Sequence, residues 1–433
     1  MKYLPRENDE PETLLLRNAA YIWGLSMTHQ KSDASDEPIR DTASDETSIN
    51  FLHRRGLGAI SIGAAMVTLS SNAEATTLFD TRRRGQMIAD TEPMPMLPNI
   101  PVFDLRQESA PALAAIRAAP VRAEALWRGA RARYTGPGLA LADRASRHWL
   151  ARNGNPLLPE ISAIAEALPG PGGHALNLSY EWGCTAGLGA ADTPFMLRVL
   201  DWDLKGLGEQ LCVFRQAGPA GEWLNLGWPG FAGAITALAP GRFGIAINQP
   251  PLPQGALARA ARGAGASFLG LAVDWLAIRP ARWRHRGLPP AHLLRLVCDT
   301  APDYAAALAM LRDTPLAAGA IFSLAGIKPG EAAVIERAEA SHAVITATPI
   351  VAAANGWQGI ANPGAPRWRY SAERHAAMAA LLAGPVPSDF GWLTPPIANE
   401  GSRLAAMMSP ATGRLELLGL EGGVAVTRPL YLN

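Results

Sequence analysis

Seven short apolar runs follow one another between residues 174 and 248: HALNLSY, CTAGLGA, PFMLRVLDW, QLCVFRQA, EWLNLGW, GAITALA and RFGIAIN, with turn-forming residues between them. Runs of this length, closely spaced, read as strands joined by tight connections, so they predict an antiparallel sheet. The next section is helical. Apolar residues recur at three and four in SFLGLAVDWLAI (267 to 278), AHLLRLVCDTA (291 to 301) and DYAAALAMLRD (303 to 313). Strands return in AGAIFSLAG, EAAVIERAEA, HAVITATP and VAAAN; a helix from Ser371 to Leu382 follows, and RLAAMMSP with RLELLGL closes the chain. Strands, then helices, then strands predict one α+β layered domain and argue against a doubly wound parallel sheet.

Ahead of the sheet, residues 111 to 152 place Ala, Leu and Arg at helical spacing, and PEISAIAEAL predicts a short helix that ends at a Pro-Gly-Pro-Gly-Gly breaker. A linker over 76 to 99, rich in Pro and Met at its end, sets the start of the domain, 100 to 433. Residues 1 to 75 read as a leader. The first 50, rich in Asp, Glu, Ser and Thr, are expected to be disordered. Arg54 and Arg55 then precede a weakly apolar stretch from Gly56 to Leu69, with small residues at Ala73 and Ala75. That is the order of a twin-arginine export signal, which predicts a periplasmic protein whose mature chain begins near Thr76. A short buried helix in a cytoplasmic protein is the competing reading.

Charge and cysteine usage narrow the chemistry. With 39 basic against 38 acidic residues, no global positive field is available to hold nucleic acid. Three cysteines cannot form a disulfide framework. Cys212 and Cys298 sit inside apolar patterns and are expected to be core, whereas Cys184 follows Gly183 at a junction. The histidines show no metal-ligand spacing and no Cys-x-x-Cys occurs, so neither a metal nor another cofactor is expected. In FMLRVLDWD, Arg198 and Asp201 are three apart on a strand and point to opposite faces; either the strand ends near Asp201 or one of the two is ordinary surface.

Taken in order, six blocks resemble the cysteine N-terminal-nucleophile (Ntn) hydrolases, the family of acid ceramidase, N-acylethanolamine acid amidase, penicillin acyltransferase and choloylglycine hydrolase. They are Gly183-Cys184-Thr185, Arg198-Val199-Leu200-Asp201, LAPGRFGIAINQ (238 to 249), AAGAIFSLAGIKPGEAAVIER (317 to 337), VAAANGW (351 to 357) and YSAERHAAM (370 to 378). Val199, Gln249-Pro250 and Gly356 depart from the family's pattern. Singly, each block has an ordinary reading: Arg198 and Asp201 as a surface ion pair, Asn355-Gly356 as a turn, Arg374 as a helix arginine. Their order and spacing carry the likeness.

The resemblance implies a four-layer αββα sandwich of antiparallel sheets and a chain that cuts itself between Gly183 and Cys184 into parts 100 to 183 and 184 to 433, which stay associated. It makes Cys184 the nucleophile. The thiol and the freed α-amine have reference pKa values of about 8.5 and about 7.7 to 8.0, close enough for the amine to act as base. Asp201 would orient that ammonium, Arg198 stabilise the thiolate or the carbonyl side, Asn355 donate to an oxyanion, and Arg374 order the set. The implied substrate is a small N-acyl amide cleaved at a linear, non-peptide carbon-nitrogen bond, or transferred to another amine. Trp202, Gln249 and Trp357 are the expected substrate contacts, and a peripheral contact with lipid goes with an apolar acyl group. Two other readings compete: a papain-like enzyme with His342 or His375 as base and no chain break, and an exported binding protein without turnover, hinted at by Gln249.

Overall fold

The computed structural model describes residues 96–180, 182–252, 286–338, 341–361, 364 and 368–433. The leader, its export signal, the linker up to residue 95 and the predicted helix over 267 to 278 lie outside the described residues. Residues 97–433 belong to one compact unit. None of the helices in the described residues is long and apolar enough to cross a membrane.

The described residues open with β1 (Val102–Asp104) and then form α1 (Pro111–Ala118), α2 (Pro120–Tyr134), α3 (Gly136–Arg152), α4 (Leu158–Ala167) and the single turn α5 (Gly173–Leu176). A proline in the first turn starts each of α1 to α4, where its missing N–H costs nothing. The prolines and Thr135, whose Oγ1 accepts from Gly138 N, are why the helical stretch from 111 to 152 is three helices. One expectation fails here. HALNLSY is not a strand: Asp143 accepts the backbone N–H of Ala175, and Asn177 bonds Gly173 O, Gly230 O and Ala232 N, so side chains take the backbone groups a ladder needs.

The hairpin β2 (Gly183–Gly189) and β3 (Phe195–Asp201) follows, then β4 (Cys212–Gly218), β5 (Gly221–Gly227), β6 (Thr236–Ala239) and β7 (Phe243–Asn248). After α6 (Pro290–Thr300) and α7 (Tyr304–Asp313) come β8 (Ala320–Ala325), β9 (Ala332–Arg337), β10 (His342–Thr346), β11 (Ile350–Ala353), α8 (Ser371–Leu382), β12 (Ser402–Ser409), β13 (Arg414–Glu421), β14 (Val424–Ala425) and β15 (Leu430–Leu432).

Two sheets result. The eight-stranded one runs β1-β4-β5-β6-β7-β8-β9-β10, and the second runs β11-β2-β3-β12-β13-β14 with β15 also on β13. Among the described strands every pair is antiparallel except β1 with β4 at one edge, because the five helices return the chain before it pairs. The main core lies between the sheets, with Leu200, Trp182, Phe243, Ile247 and Phe322 buried in it. Helix α8 covers the outer face of the second sheet through Met378 and Leu382, packed with Leu197, Val199 and Ala405. Leu293, Leu294 and Val297 of α6 and Leu311 of α7 cover the first sheet. The architecture is the four-layer αββα sandwich.

Candidate active site

Strand β2 is buried along its whole length, between β11 and β3. Its register sets Gly183 opposite Asp201, Cys184 opposite Leu200 and Ala186 opposite Arg198. Side chains alternate, so Cys184 and Arg198 face the core between the sheets, while Thr185 and Asp201 face the layer under α8. The choice posed by Arg198 and Asp201 is thereby resolved. β3 does end at Asp201, and β12 opposite shifts register between Ser402 and Leu404, a bulge that accommodates the strand end. Neither residue is surface: both are 0% exposed, because both faces of this sheet are covered.

On the inner face, Arg198 Nη2 lies 2.8 Å from Cys184 Sγ and donates to Ile247 O at 2.7 Å. Its Nη1 donates to Asn248 Oδ1, and Asn248 Nδ2 is held by Ala353 O and Ala354 O. The thiol itself can donate to Ile247 O at 3.4 Å. Burial pushes the Cys184 thiol up to about 12, against the pull of the Arg198 and Arg374 charges, so in the intact chain it is protonated at neutral pH.

On the outer face, Arg374 enters from the first turn of α8. Its Nη1 donates to Cys184 O and to Thr185 Oγ1 (2.8 Å), its Nη2 to Asn355 Oδ1 (2.7 Å) and its Nε to Arg369 O (3.1 Å). Burial lowers the Arg374 pKa, and the Asp201 carboxylate, with Oδ2 3.6 Å from Nη1, opposes that. Asp201 also accepts from Ser402 Oγ at 2.7 Å and Asn399 Nδ2 at 3.1 Å. Asn355 Oδ1 accepts the backbone N–H of Cys184 at 3.0 Å, while its Nδ2 donates to Gln249 O at 2.8 Å. In the intact chain the Asn355 amide is thus engaged with the Cys184 backbone; donating to an oxyanion would require Nδ2 to leave Gln249 O.

The structure therefore gathers Gly183, Cys184, Arg198, Asp201, Asn355 and Arg374 in one place. It adds residues to which the sequence reading assigned no role: Asn248, Thr185, Asn399 and Ser402. Asn248 was visible as the polar residue that ends the apolar run FGIAIN, and Thr185 as the neighbour of Cys184; Asn399 and Ser402 have no local signal, since only pairing of β3 with β12 brings them in.

The expected substrate contacts separate. Trp202 lines a cavity of about 100 Å³ together with Leu126, Trp127, Leu207, Trp228 and Ile235. Ile235 O accepts from Ile247 N, and Ile247 O is the acceptor facing the thiol, so the cavity wall is one strand contact from Cys184. Gln249 is buried and donates to Tyr180 O, which places it in the frame of the site. Trp357 is half-buried against the main core and is not among the residues lining the cavity. Trp223 points elsewhere, with its indole N–H on Asp299 at 2.9 Å. Cys212 and Cys298 are buried, as expected of core thiols. Among the described residues no hydrogen bond joins a histidine to Cys184, and His342 is exposed on β10.

No protein-family model and no curated protein matches this chain. Solved structures do. The N-acylethanolamine-hydrolyzing acid amidase ortholog of Caenorhabditis elegans is 16% identical with a TM-score of 0.38, over 52% of this chain and 93% of that chain. Penicillin V acylase from Agrobacterium tumefaciens is 12% identical with a TM-score of 0.36, over 58% of this chain and 86% of that chain. A mutant of the conjugated bile acid hydrolase from Clostridium perfringens is 10% identical with a TM-score of 0.32, over 57% of this chain and 92% of that chain. At these identities and scores no activity passes from them to this chain.

Proposed function

We propose that the chain is a self-processing amidase whose nucleophile is the thiol of Cys184, acting on the carbon-nitrogen bond of a small N-acyl amide. One observation carries the reading. Three side chains from three different elements grip one residue: Arg198 holds its sulfur, Asn355 its N–H and Arg374 its carbonyl oxygen. A core cysteine needs no such set: Cys298 has one guanidinium, that of Arg242, on its carbonyl oxygen, and the Cys212 thiol meets only Gln210 O.

In the maturation step Sγ adds to the Gly183 carbonyl carbon, the Gly183–Cys184 C–N bond breaks, and the thiol proton goes to the departing amine of Cys184. Water then opens the thioester, leaving a carboxylate on Gly183 and restoring the thiol. In turnover the free amine takes the thiol proton, sulfur adds to the acyl carbonyl, and the substrate's amine leaves with that proton. Water, or a second amine in acyl transfer, releases the acyl group. Asp201, opposite Gly183 at the strand end, would hold the new ammonium, and Arg198 would balance the thiolate. The cavity walled by Trp202 and Trp228 supports an apolar acyl part, because apolar walls gain about 25 cal/mol for each Å² of apolar ligand surface they cover.

A denaturing gel of the purified protein with N-terminal sequencing of the fragment that starts inside the chain tests this. The expected sequence is CTAGLG, and Cys184→Ala should abolish both the cut and amide hydrolysis, whereas Cys212→Ala should leave both in place. An active enzyme that remains one chain through Cys184 overturns the proposal.

A further inference from the structure

The outer side of the Gly183–Cys184 junction is covered by a side chain that the proposed chemistry does not use. A Cβ on Gly183 would lie 2.2 Å from Cγ and 2.3 Å from Cδ1 of Trp368, and a Cβ on Gly401 would lie 2.6 Å from Cζ2 of the same ring. The indole is thus seated between two glycines, one of them the residue before the proposed nucleophile. The ring is brought there by unusual backbone: Trp368 has φ +66° and Tyr370 φ +55°, values that cost a bulky residue energy unless its surroundings hold it. What holds the segment is the site itself. Arg374 donates to Arg369 O, and Ser371 Oγ accepts from Asn355 N.

Strand alternation gives this seat a meaning. The Cys184 sulfur lies on the inner face of β2, and the open side of Gly183 lies on the outer face, where the ring sits. When sulfur approaches the Gly183 carbonyl from within, the peptide can yield only outward. Trp368 blocks that movement, and Gly183 is already tied to Asp201 by strand pairing. A fixed carbonyl beside a fixed thiol is a gain in effective molarity. We propose that Trp368 is a positioning residue for self-cleavage, a backstop that pins the scissile peptide and confines position 183 to glycine. The proposal rests on the self-processing reading and adds to it a residue that touches no reacting atom.

The test uses the full chain, with the cut fraction followed over time on denaturing gels and thermal unfolding measured alongside. Trp368→Ala should slow cleavage about tenfold while Trp368→Phe, which keeps a ring in the seat, stays within about threefold of the native rate. Gly183→Ala should slow it by about a hundredfold or more, since its methyl and the ring cannot share the space. The double variant Gly183→Ala/Trp368→Ala should then cut faster than Gly183→Ala alone, a rescue that a merely destabilising change would not produce. Normal cutting by Gly183→Ala, no rescue in the double variant, or equal rates for Trp368→Ala and Trp368→Phe overturns the backstop alone. If Gly183→Ala does not fold, the Ala and Phe comparison at Trp368 decides. A native chain that never cuts overturns this proposal together with the reading beneath it.

Discussion

A thiol that burial has pushed up to about 12 is a poor nucleophile at neutral pH until something takes its proton. Below that value the thiolate fraction rises about tenfold for each pH unit, so self-cleavage should accelerate with pH across the neutral range. Following band conversion of freshly made full-length protein between about pH 6 and 9 checks it, with a slope near one in the logarithm of the rate expected. A flat profile would show that proton removal does not limit the step. Arg374 is the other decisive residue at this scale. It faces Asp201 with both side chains fully buried, so Arg374→Ala takes the cation from a buried carboxylate and the donor from four acceptors. About 3 to 5 kcal/mol of stability should be lost, seen as a lowered chemical-denaturation midpoint, and the chain should remain uncut.

At the scale of elements, the site is a set of strand ends and the loops that follow them. Cys184 is the second residue of β2, Asp201 ends β3, Asn248 ends β7 and Asn355 follows β11. The loop after Asn355 is fixed by a group outside the site: Glu336 of β9, fully buried, accepts from Gln358 N (2.6 Å), Gly359 N (2.9 Å) and Ile360 N (3.0 Å). A carboxylate with three backbone donors is an anchor, and its loss leaves those donors bare. Glu336→Ala should cost about 1 to 3 kcal/mol in thermal or denaturant unfolding. If the loop position sets the angle of Asn355, it should slow cleavage as well. Unchanged stability would mean that water replaces the carboxylate without cost.

For the whole molecule, the question is what keeps the two proposed parts together. Pairing of β1 with β4 crosses the cut, as do the Tyr180 hydroxyl on Gly319 O at 3.0 Å, the Arg295–Glu160 contact at 3.9 Å, and His292, whose ring nitrogens lie 3.0 Å from Asn155 Nδ2 and 3.0 Å from Asn177 O. Burial lowers the His292 pKa to about 4 from 6.5. The folded pKa lies below the unfolded one, so the neutral ring's contribution is whole above about pH 6.5 and shrinks as pH falls toward 4, by roughly 3 kcal/mol in all. The cut protein should elute as one species near neutral pH and lose stability over that window. His292→Gln, which keeps hydrogen-bonding groups without titrating, should flatten the loss on size-exclusion and denaturation measurements.

Periodicity and turn residues in the sequence by themselves determined most of the strands, helices α6, α7 and α8, the α+β class, and Cys184 as the cysteine apart from the apolar patterns. These are local properties, set by side-chain alternation and by where the backbone can turn. The run HALNLSY misled for the same reason, since its fate depends on Asp143 and on Asn177 reaching Gly230, distant in the chain. Tertiary structure alone decided that Arg198 and Asp201 are both interior, one on each face of a covered sheet. It also decided that Asn248 props Arg198, that Ser402 and Asn399 hold Asp201, and that Trp368 sits on Gly183. Those contacts join segments up to about two hundred residues apart, and no local pattern in either segment encodes the partner; only the register of β2, β3 and β12 and the docking of α8 do.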